Sequence, residues 1–587
     1  MFNYLFILRI LLIVSVVEFS WIEFSIADEK VVVELSNGKA EGHLVKNGDG
    51  SEGWVFLGIP YAEPPIGKLR FAEPKWKKSW KGILPCHGYK PACWQNVSGS
   101  GEFEETVISE DCLYANIFVG RHCLEKSLNG SRNKFDRLCP IIYYIHGGGY
   151  EFDSPRMFKP EILIKNFASK DIIFVTLAYR LNVFGFWTSG TDEALGNWAL
   201  KDMIHGAKWI KKEIERFGGD ASRTTVQGHS SSAMAISLLT LSPKTYGLFH
   251  QAIMMSGDSA RITLPRIDGP NGLLPDTIDI LAAERRPLTT IIGTVKNENG
   301  FNKFVYWNAT RRTIVENCKA IIEREKWKRK EAVTNRCVSF YTNNISIYSD
   351  PIDSSNRHSF PFWAERTTTL LEDDDYFAPC HRDASSLTSK NSRVYLYSFD
   401  YEKIGLEGLT PYHSFDLVFY NGLHADDFEG KFDDRDRQVG ERYVNLFINF
   451  ALYGQPTPWP VDQVTWTPLA SPWSFNYMSI DTKLTMRSNY HEPSVWLWNW
   501  ELPHIDDNIP IIIDEKRSFP TDLDDHHTDG TKFGGKWIVV LAFLGVAAAI
   551  AATIVIFKWT NIKRSCDRQP LLQNKKNLVN VAYESLV

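Results

Sequence analysis

The chain has 587 residues, of which 44% are hydrophobic and 23% are charged. This balance is typical of a folded globular protein and excludes disorder of the whole chain. The nearly equal counts of 65 basic and 70 acidic residues offer none of the excess positive charge that nucleic-acid-binding proteins use.

Residues 1–27 predict a signal peptide. An apolar run over residues 4–17 is shorter than a membrane-spanning helix requires, and residues 25–27, which read Ser-Ile-Ala, follow it at the distance of a cleavage site. We therefore expect the mature chain to begin at Asp28. An uncleaved anchor is the alternative, because Arg9 interrupts the apolar run.

Cysteines and glycosylation sequons favour the secretory pathway. Eight of the nine cysteines lie before residue 400, and Cys566 lies alone near the end, as in a luminal domain with a cytosolic tail. Four sequons predict glycan attachment in the same compartment. They begin at Asn96, Asn129, Asn308 and Asn344.

The central part of the chain alternates between strand-like and helix-like patterns. Apolar runs over residues 140–150 and 171–182 predict buried strands, and apolar residues at helical spacing predict a helix over 199–219. Residues 223–232 then read as a strand, a sharp turn and a helix start. This order favours an α/β fold with a doubly wound, mostly parallel sheet.

Ser230 stands where this pattern predicts a nucleophile. A nucleophilic serine needs a strained turn at the carboxyl edge of a sheet, with small residues two positions before and after it. Gly228 meets the first requirement, whereas Ser232 replaces the second glycine of the G-x-S-x-G motif and weakens it. A serine-rich turn without a catalytic role is the alternative.

A glycine run over residues 147–149 follows the first predicted strand. Such a run leaves backbone N–H groups free to face the oxyanion of a tetrahedral intermediate. A tight turn is the alternative, but a glycine run and a serine turn in this order favour an α/β-hydrolase active site.

Three longer segments resemble the type-B carboxylesterase and cholinesterase family. They are FLGIPYAEPPIGKLRFAEP at 56–74, SEDCLYANIF at 109–118 and GNWALKDMIHGAKWIKKEIERFGGD at 196–220. The resemblance covers roughly residues 31–502. It implies an α/β-hydrolase fold with helices on both faces of the sheet, and a serine carboxylesterase that forms an acyl-enzyme.

The resemblance also implies a Ser-His-Glu triad. IIGTVKNENGF places Glu298 in the family's acid segment, and NGLHADDF places His424 in its histidine segment. His424 would then be the general base for Ser230, and Glu298 would orient it. His413 is a nearby rival, but on this interpretation YHSFD lacks the family pattern. The expected oxyanion donors are the backbone N–H groups of Gly148, Gly149 and Ser231.

In this family the first disulfide joins a C-x-Q cysteine to the EDCL cysteine, which implies Cys93 with Cys112. Two further pairs are candidates from their positions: Cys123 with Cys139, which flank a polar insertion, and Cys318 with Cys337. No metal or organic cofactor is expected, because the cysteines form no C-x-x-C pairs and the histidines show no ligand spacing.

One further departure from the family concerns the segment near the acyl site. Family members run through several helices between an M-S-G strand end and a D-G-x-x-L-P motif, whereas residues 255–257 here reach residues 267–269 almost at once. The substrate scope, and even the folding of this region, is therefore left open.

The C-terminal part predicts a single membrane span. Residues 507–536 are polar and acidic and predict a stalk, and residues 537–557 are 21 residues without a charge, enough to cross a bilayer as a helix. Basic residues soon after the span put the tail, residues 558–587, in the cytosol. Residues 28–506 would then be a luminal or extracellular esterase domain of a type I membrane protein.

The tail carries three short patterns that predict partners. Residues 567–572 resemble an acidic dileucine sorting signal and residues 583–586 a tyrosine-based one, whereas residues 585–587 resemble a ligand for PDZ domains. Sorting adaptors would favour an endosomal or lysosome-related address, and a PDZ protein would favour the plasma membrane.

Two classes of function remain at this stage. The leading hypothesis is hydrolysis of a small or medium carboxylic ester, or transfer of the acyl group to an acceptor other than water. The alternative is a neuroligin-like adhesion or binding protein without catalysis. The presence of Ser230, Glu298 and His424 favours the enzyme, but the sequence does not identify the ester.

Overall fold

The computed structural model describes the chain from residue 29 to residue 509 with several gaps. The described ranges are 29–96, 107–128, 138–191, 194–258, 267–269, 272–324, 327–343, 360–406, 410–428 and 430–509. The predicted signal peptide, membrane span and tail lie outside these ranges, as do Asn129, Asn344 and most of the predicted stalk. Asn96 and Asn308 are both exposed.

Contacts divide the chain into two compact units, Met1–Pro503 and His504–Val587. The esterase-like features all lie in the first unit. Within the described ranges, no helix is both long enough and apolar enough to cross a membrane.

Fifteen strands lie in the described ranges. They are β1 (Lys30–Leu35), β2 (Gly38–Lys46), β3 (Glu52–Pro60), β4 (Ile83–Pro85), β5 (Ala92–Cys93), β6 (Ile108–Ser109), β7 (Tyr114–Val119), β8 (Cys139–Ile145), β9 (Ile173–Leu177), β10 (Gly219–His229), β11 (Gln251–Met255), β12 (Thr289–Val295), β13 (Val394–Phe399), β14 (Tyr477–Ile480) and β15 (Leu484–Arg487).

Thirteen of these strands form one mixed sheet in the order β1-β2-β3-β7-β9-β8-β10-β11-β12-β13-β14-β15, with β4 beside β2. The seven strands from β9 to β14 run parallel, as predicted, whereas the pairs toward β1 and the β14-β15 pair are antiparallel. Every residue of β8 is buried, whereas β2 alternates between buried and more exposed positions. This contrast separates a central parallel strand from an antiparallel strand with one solvated face.

Fifteen α-helices accompany the strands within the same described ranges. They are α1 (Arg121–Leu128), α2 (Pro160–Asn166), α3 (Asn182–Phe186), α4 (Trp198–Glu213), α5 (Ser231–Leu241), α6 (Ile278–Glu284), α7 (Asn302–Val305), α8 (Arg311–Arg324), α9 (Lys330–Asn343), α10 (Phe362–Glu372), α11 (Ala378–Ser389), α12 (Leu417–Tyr420), α13 (Asp434–Tyr453), α14 (Glu492–Trp496) and α15 (Leu502–Asp506).

Helices cover both faces of the sheet, as two neighbouring tyrosines of β8 show. The Tyr143 hydroxyl donates to the carbonyl of Met203 in α4 at 3.1 Å. The ring of Tyr144 instead packs toward Tyr420 of α12, in an apolar cluster that also contains Tyr443 of α13. Because successive residues of a strand point to opposite faces, α4 and α12 lie on opposite sides of the sheet.

All three expected or candidate disulfides are present. They join Cys93 to Cys112, Cys123 to Cys139 and Cys318 to Cys337. Of the remaining described cysteines, Cys86 and Cys380 are buried and form no disulfide. The segment after β11 rejoins the core despite its short length, because Leu273 and Leu274 are buried and the Ser242 hydroxyl donates to the Leu273 carbonyl at 2.7 Å.

Candidate active site

Ser230 occupies the sharp turn between β10 and α5. Its backbone has φ 58° and ψ −129°, a conformation that costs a residue other than glycine about 1–3 kcal/mol and is concentrated at functional sites. The turn is held on both sides, because the Ser230 N–H donates to the Met255 carbonyl at 2.8 Å and the Ser230 carbonyl accepts from Met234 N–H at 3.1 Å.

Three glycines surround this turn because no side chain would fit. A Cβ on Gly257 would lie 2.3 Å from the Ser230 carbonyl oxygen, and one on Gly147 would lie 2.8 Å from the His229 carbonyl oxygen. A Cβ on Gly228 would lie 2.6 Å from the Ser232 hydroxyl. The spacing of the serine motif is therefore required by close backbone packing.

Ser232 is accommodated where the motif prefers glycine. Its hydroxyl accepts from the His229 N–H at 2.9 Å and has the carbonyls of Ile145 at 2.8 Å and His229 at 2.7 Å within reach of its one proton. The departure from the motif thus adds hydrogen bonds to the turn and leaves its geometry intact.

The glycine run lies directly against the serine turn. A Cβ on Gly147 would lie 3.3 Å from the Ser230 Cβ, and Gly148 and Gly149 have φ 89° and 62°, which glycine adopts without strain. The run ends where the Tyr150 N–H donates to the Ser231 hydroxyl at 3.2 Å. Ser231 is the first residue of α5, so its own N–H has no partner within the helix.

Glu298 is paired with His413. Its Oε2 lies 2.7 Å from His413 Nδ1, while its Oε1 accepts from the Val295 N–H at 3.0 Å. The backbone joins the same two residues, because the His413 N–H donates to the Glu298 carbonyl at 3.1 Å. The Glu298 carboxylate is fully buried, and the His413 side chain is 16% exposed.

The structure therefore pairs Glu298 with His413, where the sequence predicted a pairing with His424. Both oxygens of the Glu298 carboxylate contact groups other than His424, which lies beyond α12 with a partly exposed side chain. The loop before His413 is fastened to Asn297, whose N–H donates to the Pro411 carbonyl at 3.1 Å. This contact brings His413 to the carboxyl end of β12.

A sequence signal for His413 did exist. Asp416 follows His413 at the same spacing as Asp427 follows His424, so both histidines fit an H-x-x-D pattern. Asp416 is buried and accepts from the Tyr443 hydroxyl at 2.6 Å. The H-x-x-D spacing therefore does not discriminate between the two histidines, and the broader resemblance favoured His424.

The His413 ring also reaches the nucleophile turn. It lies against the ring of His229, the residue before Ser230, with centroids 4.5 Å apart. Burial lowers the pKa of His229 well below its usual range, and the neighbouring His413 and His424 lower it further. His229 is therefore a neutral side chain between the serine turn and the histidine of the pair.

Two other buried acids surround Glu298. Burial raises the pKa of Glu372 to about 8, with a contribution from the charge of Glu298. Burial likewise raises the pKa of Asp416 to about 6, again with a contribution from Glu298. Near neutral pH, Glu372 is mostly protonated and does not add a full negative charge beside Glu298.

One group of possible metal ligands is present in the described ranges, formed by Cys123, Cys139 and Asp171. The two sulfurs are joined in a disulfide and therefore offer no thiolate to a metal ion.

The carboxylesterase family model matches residues 29–262 and 259–498. Gut esterase 1 of Caenorhabditis elegans is 26% identical over 553 residues, which cover 80% of this chain and 92% of that protein. Juvenile hormone esterase of Heliothis virescens is 39% identical over 230 residues, 39% of each chain. Acylcarnitine hydrolase of Mus musculus is 36% identical over 230 residues, which cover 38% of this chain and 39% of that protein.

Proposed function

The chain belongs to the carboxylesterase family and is a carboxylic ester hydrolase, and we propose that it acts through an acyl-enzyme on Ser230. The observation that carries this mechanism is the Glu298-His413 pair beside the strained serine turn. A serine nucleophile, a histidine base and a buried acid are the three groups that this chemistry needs.

In the first half of the reaction, His413 takes the proton of the Ser230 hydroxyl as the oxygen attacks the ester carbonyl carbon. The carbonyl oxygen becomes an oxyanion, for which the N–H groups of Gly148, Gly149 and Ser231 are the proposed donors. The carbon–oxygen bond to the alcohol then breaks, and His413 returns the proton to the leaving alkoxide. The acyl group remains bound to Ser230.

In the second half, a water molecule loses its proton to His413 and attacks the acyl carbon. The bond to Ser230 breaks, the serine recovers the proton, and the carboxylic acid is released. An alcohol or an amine in place of water would yield acyl transfer from the same intermediate. The ratio of acid to transfer product, measured with added alcohol, distinguishes the two outcomes.

Glu298 has a separate role in both halves. Its carboxylate accepts from His413 Nδ1, which fixes the tautomer that leaves Nε2 free to accept a proton. The negative charge also stabilises the imidazolium that forms in each half. The raised pKa of Glu372 keeps that neighbouring acid mostly protonated near neutral pH, so it adds little negative charge beside Glu298.

The test uses Ser230→Ala in the full-length protein. We expect hydrolysis of a short-chain aryl ester to fall by about 10⁵–10⁶-fold and labelling by a fluorophosphonate to disappear. Ser231→Ala is the matched control, because it removes a neighbouring hydroxyl and keeps the backbone N–H; it should still be labelled on Ser230. Turnover that survives Ser230→Ala would refute the mechanism.

A further inference from the structure

Two serine hydroxyls bracket the glycine run that carries the proposed oxyanion donors. At the start of the run, the Ser232 hydroxyl lies 2.8 Å from the carbonyl oxygen of Ile145, the last residue of β8. At its end, the Ser231 hydroxyl accepts from the Tyr150 N–H at 3.2 Å. The two contacts join α5, which begins directly after the nucleophile, to both ends of residues 146–149.

Both hydroxyls are enclosed and fixed in place. Ser231 is 3% exposed and Ser232 is fully buried. Removing either hydroxyl would leave a buried hydrogen-bond partner unpaired, which costs free energy. The residue before the run is held separately, because the Tyr179 hydroxyl donates to the His146 carbonyl at 2.9 Å. Ser231 and Ser232 supply side-chain contacts between the two flanks of this run and the helix of the nucleophile.

The position of the run matters because an oxyanion site works through donors that are already in place when charge develops. A run of three glycines has more conformational freedom than any other tripeptide, so its order must come from contacts around it. Catalytic groups displaced by about 0.5–1 Å lose much of their effect.

We propose that the side chains of Ser231 and Ser232 are positioning groups that keep the glycine run in register with Ser230, and so preorganise the oxyanion site. This inference rests on the proposed function, since it assigns the run to oxyanion binding. It adds a role for two side chains at positions where the G-x-S-x-G motif itself requires only a backbone N–H and a small residue.

The experiment compares Ser231→Ala and Ser232→Ala in the full-length protein, with an aryl ester as substrate. We expect kcat/KM to fall about fivefold in each variant, as the loss of one ordinary hydrogen bond predicts, mainly through kcat. A trifluoromethyl ketone with the same acyl chain, which adds to the serine to form an oxyanion, should lose affinity in the same proportion. KM should change less than twofold.

Ser237→Ala is the control for stability alone. Ser237 lies on the same helix and donates to Asp383 in a buried network with Arg285, so its removal should lower Tm without changing kcat or the affinity of the ketone. If Ser231→Ala and Ser232→Ala behave like Ser237→Ala, the two hydroxyls are merely structural and the inference is wrong.

Ser232→Gly guards against a failure of Ser232→Ala to fold. Glycine is the residue that the motif uses at this position, so the variant removes the hydroxyl without adding a methyl group to the buried turn. It should show the same loss of ketone affinity, and full ketone affinity would overturn the inference. Activity that survives Ser230→Ala would instead refute the proposed function, so the two failures are distinguishable.

Discussion

The nucleophile and the proposed oxyanion donors come from two adjacent strands, whereas the acid and the base come from loops that are far apart in sequence. Gly228 and Ile145 are directly paired where β10 and β8 run side by side, so sheet register brings the serine turn close to the glycine run. Glu298 and His413 are separated by 115 positions and meet through side chain, loop and backbone contacts.

The two parts of the site are therefore held in place by different kinds of contact. The nucleophile region is specified by close backbone packing and short-range hydrogen bonds. The acid and base region depends on a loop whose fastening to Asn297 is a tertiary contact. Substitutions in the second region therefore test the assignment of residues, whereas those in the first mainly test geometry.

The largest expected effect comes from replacing each of the two histidines by alanine, which tests which of them acts as the base. We expect His413→Ala to lower kcat by about 10⁵–10⁶-fold, because the base and the nucleophile act as a unit. His424→Ala should stay within about threefold of the wild type, since the Glu298 carboxylate contacts His413 instead. Steady-state kinetics on both folded variants measures the two losses. A larger loss in His424→Ala than in His413→Ala would restore His424 as the base.

The two regions also differ in what the sequence could predict. Ser230 and the glycine run were recognisable because short motifs describe their local geometry, and the pairing of Cys93 with Cys112 followed from the family resemblance. The central parallel strands were recognisable as apolar runs, whereas the antiparallel strands β1 and β2 carry the weaker alternating pattern of a half-solvated surface.

The sequence could not identify the histidine that pairs with Glu298, for a physical reason. His413 and His424 lie 11 residues apart, and each is followed three positions later by an aspartate. What separates them is the contact of the loop before His413 with Asn297, which no local pattern encodes. The same reasoning explains Ser232: its fit depends on the carbonyl of Ile145, a residue 87 positions away.

A smaller effect sharpens the role of the acid. Glu298→Gln keeps the size of the side chain and removes its charge, so we expect kcat to fall by about 10³–10⁴-fold through loss of the tautomer and of imidazolium stabilisation. Glu372→Gln is the matched control, since the raised pKa of Glu372 makes this acid mostly neutral near pH 7; it should keep most of the activity. Equal losses in the two variants would mean that Glu298 has no special role.

The smallest expected effect is the pH dependence of the stability that Glu372 contributes. In the folded protein burial raises the pKa of Glu372 to about 8, from an ordinary value near 4.5. Between those two values the folded chain retains a proton that the unfolded chain has lost. The stability that Glu372 contributes is therefore fully present below about pH 4.5 and is lost as pH rises through about 8.

Glu372→Gln should remove this dependence, because an amide does not ionise and its oxygen can still accept from the Asn299 N–H. The free energy of unfolding of the wild type, relative to the variant, should fall by up to about 1.4 kcal/mol per pH unit between pH 5 and 8 and then level off. Tm measured for both proteins across this range tests it. A difference that stays constant from pH 5 to 9 would mean that Glu372 is ionised in the fold, and that Glu298 shares its surroundings with a second negative charge.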